Sequence, residues 1–510
     1  MNRKTKALLH SGFSLIYQIV TIICGFIMPR MLLVFYGSET NGLVSSIAQF
    51  LGFISLCECG VGAVVQSALY KPLADGDEIA ISKVFISSER FFRKIAYILL
   101  IYTLSLMIGY PWITMESFDF AYTALLILII AISSFAQYYF GMTYRLLLIA
   151  DQMGFIICGI QTITILLNTI CGVMLMRAGA SIHAVKLMTA LLFLLQPLVT
   201  VYIVKKKYRI DRKLTLTEEP IKQKWNGLAQ HIASVVLTNT DTVVLTLFST
   251  LNNVSIYAVY YLVVNGVKTI VSSLTNGIQA MFGNMLAKKE MDDLTKSYDN
   301  IEWLLHTVVT LVFTLTALLI LPFVQVYTAD VGDTNYLVPT FACLITLATA
   351  AYCIRLPYSI MVLAAGDYKQ TQRSAIIESL INIILSVILV ARWGLVGVAI
   401  GTLCAMVYRT CYLAWYLSKH ILFRRLYHFF RHIAVDVLGV VAAILSLKIF
   451  SISLELPQIT YSAWFSLAVK AGLIVTVAVL LVNLLFYRDK IIGNLRKYVR
   501  ILTKFRKKGM

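Results

Sequence analysis

Hydrophobic positions in this chain do not alternate with polar ones; they run on. Apolar stretches of helical length recur from residue 12 to residue 486, and each is closed by charged or turn-forming residues. About 20 consecutive apolar residues let an α-helix cross hydrocarbon, whereas barrel strands alternate over about ten. The runs predict spans at 12–36, 42–68, 92–112, 120–144, 154–176, 184–204, 227–250, 255–284, 303–326, 337–364, 375–391, 395–417, 433–453 and 463–486. Several are longer than a straight crossing needs, which allows tilt or extension into water. Segments 375–391 and 395–417 also admit a reading as a re-entrant pair. The expected fold class is an all-α polytopic membrane protein with about fourteen transmembrane helices, arranged as two six-helix lobes plus two C-terminal helices.

Charge orients these spans. With an even number of crossings, both ends and every second loop share one side. That side carries 35 of the 44 lysines and arginines, and the other has only Arg177, Lys186, Arg392 and Lys448; Arg30, Lys268, Arg355, Arg409 and Lys470 lie within or at the edges of spans. The bias predicts both termini in the cytoplasm. Trp112, Trp225, Trp303, Trp393, Trp415 and Trp464 all fall at predicted span ends, where an indole sits well among headgroups. The longest polar stretch, Lys205 to Lys224, divides the chain into an N-terminal lobe (1–204), a linker (205–226) and a C-terminal lobe (227–420). Two further helices (421–487) and a basic tail (488–510) follow. The tail interleaves apolar and basic residues and is expected to lie on anionic inner-leaflet lipid. Leu73-Ala-Asp-Gly-Asp and Leu286-Ala-Lys-Lys-Glu occupy matching places in the two lobes, a weak internal repeat of the kind transporters carry.

Composition agrees. The chain is 59% hydrophobic and 14% charged, with mean hydropathy +0.80; a soluble domain is nearer 25% charged. The net charge of +19 therefore reads as topology and not as nucleic-acid binding. The basic start, Met-Asn-Arg-Lys-Thr-Lys, precedes an apolar run too long for a signal peptide, so it reads as the first retained helix. The nine cysteines show no C-x-x-C spacing and read as small core residues, with no metal site. There is no G-x-x-x-x-G-K-[ST], no H-E-x-x-H and no soluble domain to hold a nucleotide fold. An enzyme is disfavoured, and no catalytic residue is expected.

Charges at depth cost roughly 2.5–3.5 kcal/mol each on insertion scales and normally face a bundle interior or a wet cavity. The candidates are Arg30, Glu58, Asp241, Lys268, Arg355, Glu378 and Asp436. Arg30 follows Pro29, which can open a helix; it is either a cavity residue or a snorkelling one. Glu58 stands among glycines and suits a structural partner for a buried arginine at least as well as a direct role. Asp241, in Asn239-Thr-Asp241-Thr, suggests a polar lumen or an interhelical hydrogen-bond network. Lys268 is mid-span and has the strongest case for a cavity, with pairing to Asp241 as the alternative. Arg355, before Leu-Pro357, suggests a broken helix exposing charge and backbone donors. Glu378, Asp436, Arg409 and Lys470 read as interfacial or structural. Gln137, Tyr138, Asn265 and other neutral polar residues suit a sugar path or helix glue equally. His231 reads more readily as structural than as a proton carrier.

Pro29-Arg30-x5-Tyr36-Gly37-x-Glu39-x-Asn41-Gly42-Leu43, followed by Leu56-x-Glu58-x-Gly60-Val61-Gly62, resembles the opening of bacterial polysaccharide-repeat-unit flippases of the multidrug/oligosaccharidyl-lipid/polysaccharide exporter superfamily. Tyr36-Gly37 stands where the family usually has Leu-Gly. Val236-Leu-Thr-Asn239-Thr-Asp241 resembles the start of the family's second half. The resemblance implies a two-lobed transporter of the bacterial inner membrane. It would move undecaprenyl-pyrophosphate-linked oligosaccharides from the inner to the outer leaflet for capsule or related polymers. Glycosyltransferases and a polymerase would be its partners, beside membrane lipids. Basic cavity residues are expected to meet the pyrophosphate. Arg30 matches by position, and Lys268 and Arg355 are offered on depth alone, with Asn239 and Asn265 on the sugar. Glu58, Asp241 and His231 are candidate coupling groups for H+ or Na+, and no other cofactor is expected. The alternatives are a cation-coupled drug or metabolite exporter of the same superfamily and a peptidoglycan-precursor flippase. A scaffold role is argued against by the buried charges.

Overall fold

The computed structural model describes residues 3–58, 61–214, 228–275 and 277–508; the side chains of 3, 4, 7, 8, 63, 228–231, 233, 234 and 491–508 lie outside the description. The chain divides into two compact units, Met1–Val259 with Asp330–Thr334, and Tyr260–Ala329 with Asn335–Met510. The described residues contain helices and no strand.

The first unit holds α1 (Arg3–Gly52), a 3-10 turn (Phe53–Glu58), α2 (Val61–Asp75), α3 (Glu78–Ile113), α4 (Phe120–Ala136), a π-helical segment (Gln137–Gly141), α5 (Met142–Ala150), α6 (Gly154–Arg177), α7 (Ile182–Lys207), α8 (Leu228–Phe248) and the start of α9 (Leu251–Ser273). The second holds the rest of α9, α10 (Ile278–Ala287), α11 (Met291–Tyr327), α12 (Pro339–Ile354), α13 (Leu356–Ala364), α14 (Tyr368–His420), α15 (Tyr427–Ile449) and α16 (Tyr461–Lys508). Eleven helical stretches among the described residues are long and apolar enough to cross a membrane, and Val235–Phe248 is a shorter apolar helix. Large apolar side chains on their outer faces, such as Ile101, Leu191, Ile388 and Leu473, are exposed. So many exposed large apolar side chains on each unit fit lipid and not water. Lipid also accounts for the cysteines: Cys24 and Cys353 are core residues as expected, but Cys343, Cys404 and Cys411 are exposed.

Two of the long helices are broken by glycine. Pro29 stays inside α1 without ending it. The break comes at Gly37, where φ is 79° and ψ is 175°, a conformation essentially restricted to glycine. The amides freed there need an acceptor. Asp333 supplies it, taking hydrogen bonds from Ser38 N at 2.7 Å and Ser38 Oγ at 2.6 Å. Beyond the break the second limb of α1 lies against α8 and α9. Asn41 donates to Ser255 at 2.8 Å, and Ser46 meets Thr246 at 2.6 Å. Gly42 has no room for a side chain, because the Leu251 carbonyl occupies the place of its Cβ.

In α14 the break is at Gly394, with φ 51° and ψ −126°. Its two limbs fold back on each other as a tight pair. Asn382 donates to Thr402 at 3.1 Å, and Gly397 and Gly401 meet the backbone of Leu389 and Ser386 where a Cβ would stand.

One end of the first unit is tied by Asp151, between α5 and α6. Lys6 binds its carboxylate at 2.9 Å and its carbonyl at 2.8 Å; Lys207 and the Tyr208 hydroxyl hold the second carboxylate oxygen. Burial pushes the Asp151 carboxyl up, but the hydrogen bonds from Lys207, Tyr208 and Lys6 outweigh it and hold its pKa below the usual carboxylate value. A depressed carboxylate stabilises the fold above the unfolded-state pKa, near 3.9, and that contribution is lost as pH falls through the folded-state value.

Replacing Asp151 by Asn should lower stability by about 1–3 kcal/mol at neutral pH and by progressively less in acid, read as thermal midpoints of the detergent-solubilised protein against pH. Gly37→Ala should cost about 1–3 kcal/mol through backbone strain, because its Cβ would also stand 2.9 Å from the Asp333 carboxylate. Gly12→Ala, at a helical position with open space around it, should leave the midpoint unchanged or raise it.

Candidate functional site

The first unit has an open-sided cavity of about 600 Å³. Its walls come from the second limb of α1 and the 3-10 turn after it, from α4, the π-helical segment and α5, and from α6, α7 and α8. The lining mixes apolar residues such as Leu51, Ile130 and Phe193 with Ser55, Ser133, Ser134, Gln137, Tyr138, Gln161, Gln196 and Asn239. Arg145 is the one charged residue among those lining it. A narrower pocket shares Gln137, Arg145, Gln161 and Gln196 and adds Gly141, Pro197 and Thr200.

The local sequence accounts for this wall. Gln137, Gly141 and Arg145 are spaced by four and follow one face of the chain. Between them the backbone widens into π-helix, a feature that often marks functional positions. Gly141 is required there, since a Cβ would stand 2.9 Å from Pro197 Cβ and 3.0 Å from Gln137 Oε1. None of the side chains of Gln137, Arg145, Gln161 and Gln196 makes a hydrogen bond or ion pair among the described residues. Three amides and a guanidinium, all inside apolar helices, therefore share one polar space without protein partners. Each of the four is half-buried and open to the cavity, so water or a ligand there supplies what the protein does not.

The residues expected from the sequence fall into different settings. In the first unit Asn239 lines the cavity while its amide nitrogen bonds the Val235 carbonyl at 2.7 Å. Glu58 accepts a short hydrogen bond from Tyr138, whose ring lines the same space. Asp241 is buried against the Tyr257 hydroxyl at 3.0 Å. Arg30 lies away from the cavity, near the Gly37 break, paired with the exposed Asp330 at 3.0 Å. The side chain of His231 lies outside the described residues.

In the second unit Lys268 and Arg355 sit over the same Tyr352 ring, at 4.9 Å and 4.5 Å from its centre. Lys268 has no hydrogen bond or ion pair among the described residues, and the Asn265 side chain has none either. The break expected at Arg355 does not open: between α12 and α13 the backbone stays helical, with Arg355 at φ −67° and ψ −23° and Ser359 N still bonded to its carbonyl at 3.0 Å. Its charge is not free either: it binds Glu378. Glu378 is buried and not interfacial. It lies between Arg355 and Arg409, 3.8 Å from the latter, and Arg409 in turn reaches the Thr371 carbonyl at 3.0 Å. Asp436 also lies inside the fold, bonded to His306 and Thr310.

Arg145, Gln161 and Gln196 went unmarked in the sequence. Arg145 counts there as a loop charge between two spans, yet it lies within a helical stretch running Phe120–Ala150. Its spacing from Gln137 is the signal that points to it. Among the described residues no group of three or more His, Cys, Asp or Glu side chains is placed to hold a metal ion.

No protein-family profile matches the chain, and no curated protein sequence does. Solved structures do. The lipid II flippase MurJ in an inward closed conformation aligns over 95% of this chain and 100% of its own, with TM-score 0.68 and 16% identity. A multidrug resistance MATE family transporter of the MOP superfamily, inward-facing, aligns over 78% and 95%, with TM-score 0.61 and 15% identity. The Vibrio cholerae MATE transporter VcmN in its bent form aligns over 82% and 98%, with TM-score 0.52 and 12% identity. The chain shares its fold with these solved transporters. At such identities the likeness carries the helix arrangement and no residue roles.

Glu378→Gln should be far more damaging than loss of one surface ion pair. It leaves two arginines without their carboxylate inside the fold, a loss of about 3–5 kcal/mol. The expected outcome is a large drop in the detergent unfolding midpoint, partly restored when Arg355 is also replaced by Met.

Proposed function

We propose that the chain is a flippase for polyprenyl-pyrophosphate-linked oligosaccharides and that the first-unit cavity receives the polar head of this lipid. The single observation carrying this reading is the set of unpartnered side chains in the cavity, three amides and one guanidinium. Amides, hydroxyls and a tyrosine match sugar hydroxyls, and one arginine supplies charge for a phosphate group. The cavity size is within the usual range for a bound small molecule, about 300–1,000 Å³, so it suits part of a headgroup at a time. The same lining weighs against an exporter of cationic drugs, whose cavity would be expected to present a carboxylate where this wall presents a cation.

Between the two lipid-linked substrates, the likeness to a lipid II flippase supports the class without choosing the glycan. The Arg30 to Gly62 resemblance favours a surface-polysaccharide repeat unit over the peptidoglycan precursor. In this reading each glycine-broken helix crosses twice, and Val235–Phe248 crosses once. That gives fourteen crossings, both termini in the cytoplasm, lobes at 1–204 and 227–420, and two further helices. The chain acts in the bacterial inner membrane beside the polymerase and glycosyltransferases. Asn239 contacts the sugar. Lys268 and Asn265 are a second polar patch, in the other unit, and Arg30 is a latch residue that can join the path when Asp330 releases it.

The test is translocation of a fluorescent polyprenyl-pyrophosphate oligosaccharide in vesicles containing the full chain. A charge-assisted hydrogen bond contributes about 1.5–3 kcal/mol, so Arg145→Gln should slow translocation by about 10- to 100-fold, with Arg145→Lys intermediate and both variants folded. Arg30→Gln should have a smaller effect. Full activity in Arg145→Gln would sink the assignment of the cavity, and no translocation by the unaltered protein would sink the flippase reading itself.

A further inference from the structure

Among the described residues, a large set of facing ionisable groups outside the cavity lies in the second unit. Glu302 and His306 are four apart on α11, and His432 and Asp436 are four apart on α15, so each pair shares a helix face. His306 is almost wholly buried. Its Nδ1 lies 2.6 Å from Asp436 and its Nε2 lies 3.0 Å from the Tyr358 hydroxyl on α13. The other Asp436 oxygen accepts from Thr310 at 2.8 Å. Arg424, in the loop before α15, grips Glu302 with two bonds at 2.8 and 2.5 Å and reaches Asp299 at 2.9 Å. The His306 and His432 rings stack with centroids 4.9 Å apart. His432 Nδ1 meets the Tyr487 hydroxyl at 2.8 Å, and its Nε2 is 3.6 Å from Glu302. At the rim, Lys490 of α16 bonds the Asp299 carbonyl at 3.1 Å.

The charges do not balance while both imidazoles are neutral. Glu302 and Asp436 bring two negative charges, and Arg424 brings one positive; Asp299 and Lys490, at the rim, offset each other. A further rim cation, Arg431, stacks on the Tyr487 ring at 5.1 Å and is exposed. Directly around the imidazoles, inside that rim, one negative charge is left. One proton on the imidazole pair cancels it. A second would place two cations in stacked rings, which is costly at low dielectric.

We propose that this cluster is a site that binds and releases a single proton, carried by His306, and that it is the ion-coupling site of the transporter. Both states keep their hydrogen bonds. In the neutral ring Nδ1–H donates to Asp436 and Nε2 accepts from the Tyr358 hydroxyl. On protonation a proton from water joins Nε2, which then donates to the Tyr358 oxygen, and the hydroxyl proton turns to the Glu302 carboxylate, which also lies within reach of Tyr358. Histidine is the side chain whose charge changes most readily between pH 5 and 8. The change is also transmitted. Tyr358 lies in the first turn of α13, three residues past Arg355 and its tie to Glu378. A proton on His306 therefore acts on α13, next to the Arg355–Glu378 tie. A static staple joining α15 and α16 to α11 would use the same contacts but would keep one protonation state.

The proton site stands without the flippase reading; only its coupling role rests on it. Full-length protein with ¹⁵N-labelled histidine, in lipid nanodiscs, is titrated from pH 5 to 9 by NMR. Single His306→Asn and His432→Asn variants assign the rings. The expected result is one imidazole of the pair changing charge in this range while the other stays neutral. The transition should disappear in His306→Asn and persist in His432→Asn. A pair whose protonation does not change across the range, or a transition that survives His306→Asn, would overturn the proposal. In vesicles carrying the fluorescent lipid-linked oligosaccharide, the unaltered protein should flip at least about tenfold faster under one orientation of a pH gradient than the other. His306→Asn should lose that asymmetry and keep basal flipping. Equal rates in the unaltered protein would overturn the coupling role. Absence of any flipping would overturn the flippase reading and the coupling role together, leaving the titration to decide the proton site.

Discussion

A polar atom surrounded by hydrocarbon has no water to turn to. It must find a partner in the protein or face a space that admits one. That constraint sorts nearly every informative residue of this chain. Glu378 is held between Arg355 and Arg409, Asp241 by Tyr257, and the amide freed at Gly37 by Asp333. These groups are accounted for by the fold. Gln137, Arg145, Gln161 and Gln196 are not. They meet in one cavity, which is why function is placed there and not at the more conspicuous buried charges.

The same constraint explains how the helices can break. A broken helix exposes amides and carbonyls that the next turn would have bonded. At Gly37 a carboxylate takes the freed amide. At Gly394 the limbs close on each other through glycine contacts and the Asn382–Thr402 bond. Between Gln137 and Gly141 the chain stays helical but widens, and that wall faces the cavity. The breaks are thus paired where they are structural, and the widened segment lies where polar space is available.

Continuous apolar runs made the all-helical membrane fold legible from the sequence, because no soluble core needs so many of them. The polar turn at residues 37–41 was also legible, although the break falls on Gly37 itself and Pro29 leaves the helix intact. Pairing was much harder to read. Asp333 and Ser38 are 295 residues apart, and nothing local in either says they meet. Glu378 and Asp436 looked interfacial because they lie near predicted span ends, yet both are held inside by partners on other helices. The cavity was the least legible feature. Each glutamine alone is an ordinary amide in an apolar helix, and Arg145 sits close enough to a span end to pass as a loop charge. Only their convergence makes a site. The Glu302/His306 and His432/Asp436 pairs did carry a local signal in their four-residue spacing, but the two pairs are 130 residues apart and their facing is a property of the fold.

The cavity's role is tested most directly by contact with the substrate. A photo-reactive residue placed at Gln196, on the cavity wall, and another at Leu195, exposed on the outer face of the same helix, are each irradiated in membranes containing radiolabelled polyprenyl-pyrophosphate oligosaccharide. Glycan label captured at 196 and not at 195 is the predicted result. Equal capture at both positions, or capture at 195 alone, would contradict a headgroup path through the first-unit cavity.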